Sequence, residues 1–217
     1  MTLVQQMLRS PRFPQYVREL EDILEAEKDR RRRFQDEVSE QQKAEFINGE
    51  VIVHSPVALE HDQVSTNLLV LAKTFATRHE LGYVGHEKLL VSLTRNDYEP
   101  DVCFFGTAKS SKFRAGQMKF PAPDFVAEII SRSTEHIDRK VKFEDYAAHG
   151  VSEYWIIDPR KRTVELYVLA GDRYGSARKV KDGTIRSRAI NGFVIPVRAL
   201  FDAKENLRVL QGILNET

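Results

Sequence analysis

Two apolar runs, each carrying one carboxylate, constrain this chain more than any other feature. Pro100-Asp101-Val102-Cys103-Phe104-Phe105 opens on an aspartate behind a proline, and Phe125-Val126-Ala127-Glu128-Ile129-Ile130 holds a glutamate in its middle. Both runs are short, rich in β-branched and aromatic residues and bounded by turn formers, the pattern of buried strands. An ionised carboxylate buried alone is strongly unfavourable unless it is paired, hydrogen-bonded or bound to a metal. A fold that buries both runs must therefore bring the two acids to a shared cation.

The elements around these runs predict a mixed sheet flanked by helices, an α/β (α+β mixed) architecture. Residues 1–13 read as a loose start broken by Pro11 and Pro14, and Gln15–Lys43 as helix, free of Gly and Pro. Val17, Leu20, Ile23 and Leu24 give that helix an apolar face, whereas Glu27–Glu37 is nearly all charged and includes Arg30-Arg31-Arg32-Arg33. The charged half is a solvated projection, a phosphate-contacting arm or an oligomerisation helix. Asn48-Gly49 between β-branched residues signals a tight hairpin, and Leu59–Arg78 has helical spacing through Val64, Leu68, Leu71, Ala72 and Phe75. Gly82 and Gly85 end that pattern, and Lys88–Leu93 is a strand candidate. Lys109–Lys119 is a basic loop. Ser133 or Thr134 caps a helix that runs past Lys142 and Tyr146 to Gly150. Strands follow at Tyr154–Asp158 and Thr163–Leu169, then outer strands at Tyr174–Val180 and Ala189–Ile195, with a closing turn at Arg198–Phe201.

Composition excludes more than it selects. A net charge of +1 is silent on nucleic acid, since local patches decide binding. The single cysteine, Cys103, lies in an apolar run and reads as a buried, reduced thiol; no disulfide framework is available. No signal-peptide pattern opens the chain, and no apolar stretch reaches the roughly 20 residues that span a bilayer, so the expectation is a cytoplasmic protein without a membrane partner. There is no Gly-x-Ser-x-Gly elbow, no Gly-x-x-x-x-Gly-Lys loop and no Gly-x-Gly-x-x-Gly turn, and the six histidines show no zinc-ligand spacing.

A carboxylate site remains. Mg²⁺ takes oxygen ligands, keeps several waters and needs only one or two protein carboxylates. Asp101 and Glu128 meet that need, with the Ile129 carbonyl as a third ligand. A positive group beside them would steady charge on a phosphorane. Lys142, fourteen positions past Glu128 on the next helix, is the candidate, with Lys140 its competitor. Tyr146, four residues on, is either a brace for that lysine or part of the core.

These residues resemble the PD-(D/E)XK nuclease superfamily, and more closely its Uma-type restriction-endonuclease branch. The match runs over residues 43–170 through Glu45 in Glu-Phe-Ile-Asn-Gly-Glu, His61, Pro100-Asp101, Glu128 in Ala-Glu-Ile-Ile-Ser, Asp138 through Lys142 to Tyr146, and Gly150-Val-Ser-Glu-Tyr-Trp-Ile-Ile-Asp158-Pro. The resemblance implies a restriction-endonuclease-like core over 43–205, an N-terminal helical extension over 1–42 and a C-terminal tail over 206–217. It implies DNA as the partner, Mg²⁺ (with Mn²⁺ as substitute) and a catalytic set of Asp101, Glu128, Lys142 and Glu45. His61, beside Asp62 at a helix start, reads as a helix-start hydrogen bonder or a supporting site residue. Ile130 replaces the lysine expected two places after the second acid, so the lysine must come from the following helix. Ser131-Arg132-Ser133-Thr134 likewise replaces Ser-Pro-Ser-Thr. The alternative is a nuclease fold that binds nucleic acid, or assembles, without turnover. A homodimer fits the nuclease reading, because two sites would cut both strands.

Overall fold

The computed structural model describes residues 1–38 and 42–216, which group into two compact units, Met1–His54 and Ser55–Thr217. In the first, the expected loose start is a short helix, α1 (Leu3–Leu8). The Thr2 side chain accepts the Gln5 N–H and the Gln5 side chain answers it, a reciprocal cap that satisfies two otherwise orphaned donors. Helix α2 (Phe13–Glu37) follows, with Pro14 in its first turn, where a missing N–H costs nothing. It stops short of the expected Lys43; residues 39–41 of that expectation lie outside the described residues. Leu20, Ile23 and Leu24 on its first half are exposed, whereas Phe34 is buried against Phe46 with ring centroids 5.8 Å apart. The hairpin of β1 (Ala44–Ile47) and β2 (Glu50–Val53) turns through Asn48 and Gly49 at φ 51° and 89°, the left-handed pair a tight turn needs. Arg30 of α2 donates to the Gly49 carbonyl at 3.1 Å.

The second unit is built on a mixed sheet. Helix α3 (Leu59–Arg78) leads into β3 (Gly82–His86), β4 (Leu90–Ser92), β5 (Asp97–Tyr98) and β6 (Val102–Gly106). After the short α4 (Thr107–Ser110) come β7 (Lys119–Phe120) and β8 (Phe125–Ile129). A π-helical turn (Ile137–Lys142) runs straight into α5 (Phe143–Ala148), then β9 (Glu153–Asp158), β10 (Thr163–Ala170), β11 (Arg173–Tyr174) and β12 (Arg178–Val180). A hairpin of β13 (Thr184–Arg186) and β14 (Val194–Pro196), a 3₁₀ turn (Val197–Leu200) and α6 (Ala203–Asn215) complete it. Residues 206–215, set apart in the sequence as a tail, belong to α6. The main sheet has the order β11-β10-β9-β8-β6-β3, with β12 also on β10. Its pairs are antiparallel except β8 with β9. Parallel neighbours require a crossover, and here the π turn and α5 are that crossover.

Strand alternation divides the buried residues by face. Phe125, Ala127 and Ile129 of β8 join Val102, Phe104, Trp155 and Ile157 in one core cluster with α3, α6 and the β13–β14 hairpin. Val126 and Glu128 therefore point to the opposite face. Gly82 and Gly85, which follow the end of α3, are part of β3: a Cβ on Gly82, at φ 145°, would collide with the Phe105 carbonyl, and one on Gly85 would lie 2.9 Å from Cys103 Sγ. Gly150, at φ 75°, closes α5, with Val151 N–H donating to the Tyr146 carbonyl at 3.0 Å. Among the described residues no helix is long and apolar enough to cross a membrane.

Candidate active site

The register of β6 against β8 sets Val102 opposite Ala127, which brings Asp101 and Glu128 side by side at the strand ends. Asp101 is 4% exposed and Glu128 3%. Each engages the other's strand. The Asp101 N–H donates to Glu128 Oε2 at 3.4 Å, and the Ile129 N–H donates to Asp101 Oδ2 at 2.8 Å. Strand ends leave ladder groups unpaired, and the two carboxylates take up those groups.

The cation comes from the crossover. Lys142 Nζ lies 3.0 Å from Glu128 Oε1, and the Tyr146 hydroxyl donates to the same oxygen at 3.2 Å. Lys140, the competing lysine, is exposed. Tyr146 is wholly buried, a core residue whose hydroxyl reaches Glu128 rather than the lysine. The ammonium also sits 3.5 Å from Asp138 Oδ1 and 5.7 Å from the Tyr98 ring centroid. The Tyr98 hydroxyl in turn donates to Asp145 at 2.7 Å. His61, at the start of α3, places Nε2 3.2 Å from Asp101 Oδ2, while its Nδ1 is buried with no hydrogen-bond partner among the described residues. Glu45 belongs to the other unit, on β1, where it is fully buried and 3.0 Å from His54 Nε2.

Burial and neighbouring carboxylates raise two groups further along this face. The Cys103 thiol is pushed up first by desolvation and then by the charge of Glu128, so it stays protonated and inert. The Tyr154 phenol is pushed up by burial and then by Asp138, and it remains a donor, to the Asp138 carbonyl at 3.1 Å.

Asp138 and Tyr98 were not among the residues that the sequence pointed to as site residues. Asp138 is 2% exposed, and its spacing of four from Lys142 was a readable signal. Tyr98 gave none: it reaches the lysine only because the turn after β4 folds back. The chemistry of the donor set suits a hydrated, oxygen-seeking cation. Two buried carboxylates adjoin as oxygen donors; among the described residues no group of three or more His, Cys, Asp and Glu side chains is arranged to hold a metal ion.

Comparison with known proteins gives the lineage. A crystal structure of a putative nuclease of the DUF820 group from Anabaena variabilis superposes with a TM-score of 0.64 at 18% identity, covering 73% of this chain and 89% of that one; the likeness is one of fold. An uncharacterised protein from Synechocystis is 30% identical over 135 residues, covering 61% of this chain and 75% of its own length. The model of the Uma2 family, described as putative restriction endonuclease, matches residues 29–198. With its restriction-endonuclease-like core and most of its length inside that match, the chain belongs to the Uma2 family.

Proposed function

We propose that this protein is a metal-dependent endonuclease that hydrolyses phosphodiester bonds in DNA, using the cluster of Asp101, Glu128 and Lys142. The observation that carries the reading is the pair of buried carboxylates at the neighbouring ends of β6 and β8, with a buried ammonium 3.0 Å from one of them. Two adjoining carboxylates present the hard oxygen donors that a divalent cation such as Mg²⁺ takes. Asp101 and Glu128, with the Ile129 carbonyl, would hold Mg²⁺, for which Mn²⁺ substitutes. The bound ion would supply Lewis-acid polarisation of a phosphate oxygen.

The chain's own residues supply the rest. Lys142 places a positive charge where negative charge grows as a water oxygen bonds to phosphorus and the scissile P–O bond breaks. Tyr146 holds Glu128 from behind, and the Ile129 N–H and His61 fix Asp101 Oδ2. Glu45 enters the proposed catalytic set only by its place in the family pattern. Plasmid DNA incubated with Mg²⁺ tests the reading: the wild type cleaves, and Asp101→Ala and Glu128→Ala do not. Equal cleavage by all three would exclude this site. Salt-sensitive DNA binding without cleavage under any divalent metal would instead establish a binding protein that keeps the fold without turnover.

A further inference from the structure

Lys142 lies between two carboxylates, and only one of them has been given a task. Its Nζ is 3.0 Å from Glu128 Oε1 and 3.5 Å from Asp138 Oδ1, and all three side chains are buried. If Glu128 holds a divalent cation, the ammonium and the metal compete for the same carboxylate and repel each other. Asp138 offers the ammonium a second anchor that is not the proposed metal-ligating oxygen.

The backbone is shaped to provide this. Asp138, Lys142 and Tyr146 are spaced four apart, and all three are buried. On a regular α-helix, positions i and i+8 drift off one line. Here residues 137–142 form a π turn, whose wider winding keeps residues four apart closer to a single row. The Tyr154 hydroxyl donates to the Asp138 carbonyl at 3.1 Å, tying that turn to β9.

We infer that Asp138 is a positioning residue that draws the Lys142 ammonium off Glu128 and so tunes the site's affinity for a divalent cation. The inference rests on the proposed function. Its prediction, however, is a coupling between two residues and not cleavage itself. Mn²⁺ affinity is measured by calorimetry on wild type, Asp138→Asn, Lys142→Met and the double variant, without DNA. Asp138→Asn removes one of the two carboxylates beside the ammonium and should weaken Mn²⁺ binding about ten-fold, the scale seen when a group supporting a metal ligand is lost. In the Lys142→Met background, with no ammonium to draw away, the same change should cost no more than about two-fold.

Asp138→Glu, which keeps the negative charge, should restore at least a third of wild-type affinity. That variant carries the test without any change at position 142 should Lys142→Met fail to fold, and a Glu variant as weak as Asn would overturn the inference. An equal loss from Asp138→Asn in both backgrounds would also overturn it, leaving Asp138 as a distant charge or a packing residue. Absence of Mn²⁺ binding by the wild type would overturn the metal-dependent reading, and the inference with it.

Discussion

Replacing Lys142 by Met puts the electrostatics of the cluster to a quantitative test without any assumption about catalysis. The methionine has nearly the same length and fills the same space, so packing changes little and the charge is lost. Glu128 and Asp138, 3% and 2% exposed, then lose an ammonium that lay at 3.0 and 3.5 Å. Breaking a buried ion pair from one side costs about 3–5 kcal/mol, because the partner charge stays behind in a poorly solvated site. Against a typical total of about 5–15 kcal/mol that is a severe loss. At this chain length it corresponds to a fall in melting temperature of roughly 6–20 °C. Urea unfolding at pH 7 reads it directly. The single tryptophan, Trp155, is a local probe: it sits buried on β9 of the same unit, edge-on to Phe125 with centroids 5.0 Å apart. Removing the stranded charge as well, in Lys142→Met with Glu128→Gln, should recover at least half of the loss, since neighbouring sites are not additive. A single-variant loss below about 1 kcal/mol, the size of an exposed pair, would refute the claim that this cluster is electrostatically buried.

Further outcomes follow from other parts of the second unit. Glu153 accepts from Trp155 Nε1 at 2.7 Å, Ser187 Oγ at 2.6 Å and the N–H groups of Arg188 and Ala189 at 2.8 and 2.9 Å. Glu153→Gln turns one acceptor into a donor facing donors and should cost about 2–3 kcal/mol, with faster proteolysis between residues 181 and 193. Gly82→Ala must move the Phe105 carbonyl and hold an alanine at φ 145°, for a loss of about 2–4 kcal/mol by chemical denaturation. At Glu165, burial acts to raise the pKa, but hydrogen bonds from Arg139, Lys179 and Tyr167 outweigh it and bring it from 4.5 to about 2. A depressed folded pKa stabilises above the unfolded value and is lost on acidification. The stability gap between wild type and Glu165→Gln should thus be full at about pH 6, at about 1–2 kcal/mol given the half-exposed Lys179, and should close as pH falls from 4.5 to about 2.

What the sequence disclosed follows physical lines. The α3 boundaries and the Asn48-Gly49 turn were legible, because helical spacing and positive φ angles are written locally. Glu128 was legible as a strand residue, because charge inside an apolar run has few explanations, whereas Asp101 sits in the bend just before β6. Strand β3 was not, because its glycines answer to the closeness of β6, a neighbour twenty residues away that no local pattern displays. Helix α6 left a signal that went unused: Asp202 accepts the N–H groups of Lys204 and Glu205 at 3.0 Å, and Ile213 reaches the core. The turn before the crossover also differs from expectation. The Ser131 hydroxyl, rather than Ser133 or Thr134, accepts the first N–H, from Thr134 at 3.2 Å, because position 131 is where β8 releases the chain. Lys142 was legible as a candidate, but its burial and the exposure of Lys140 depend on a π turn for which sequence periodicity has no counterpart.

That turn also restricts how this segment can change length. A π turn contains one residue more than the α-helix it interrupts, so deleting any residue between 137 and 142 would let the helix heal into regular winding. The flanking segments would keep their phase, and the change would fall on the turn itself, where a deletion between Asp138 and Lys142 would leave them three apart instead of four. Exposed loops such as 114–118 have room for insertions and deletions, whereas the count of residues from Glu128 to Lys142 is as fixed as their identities.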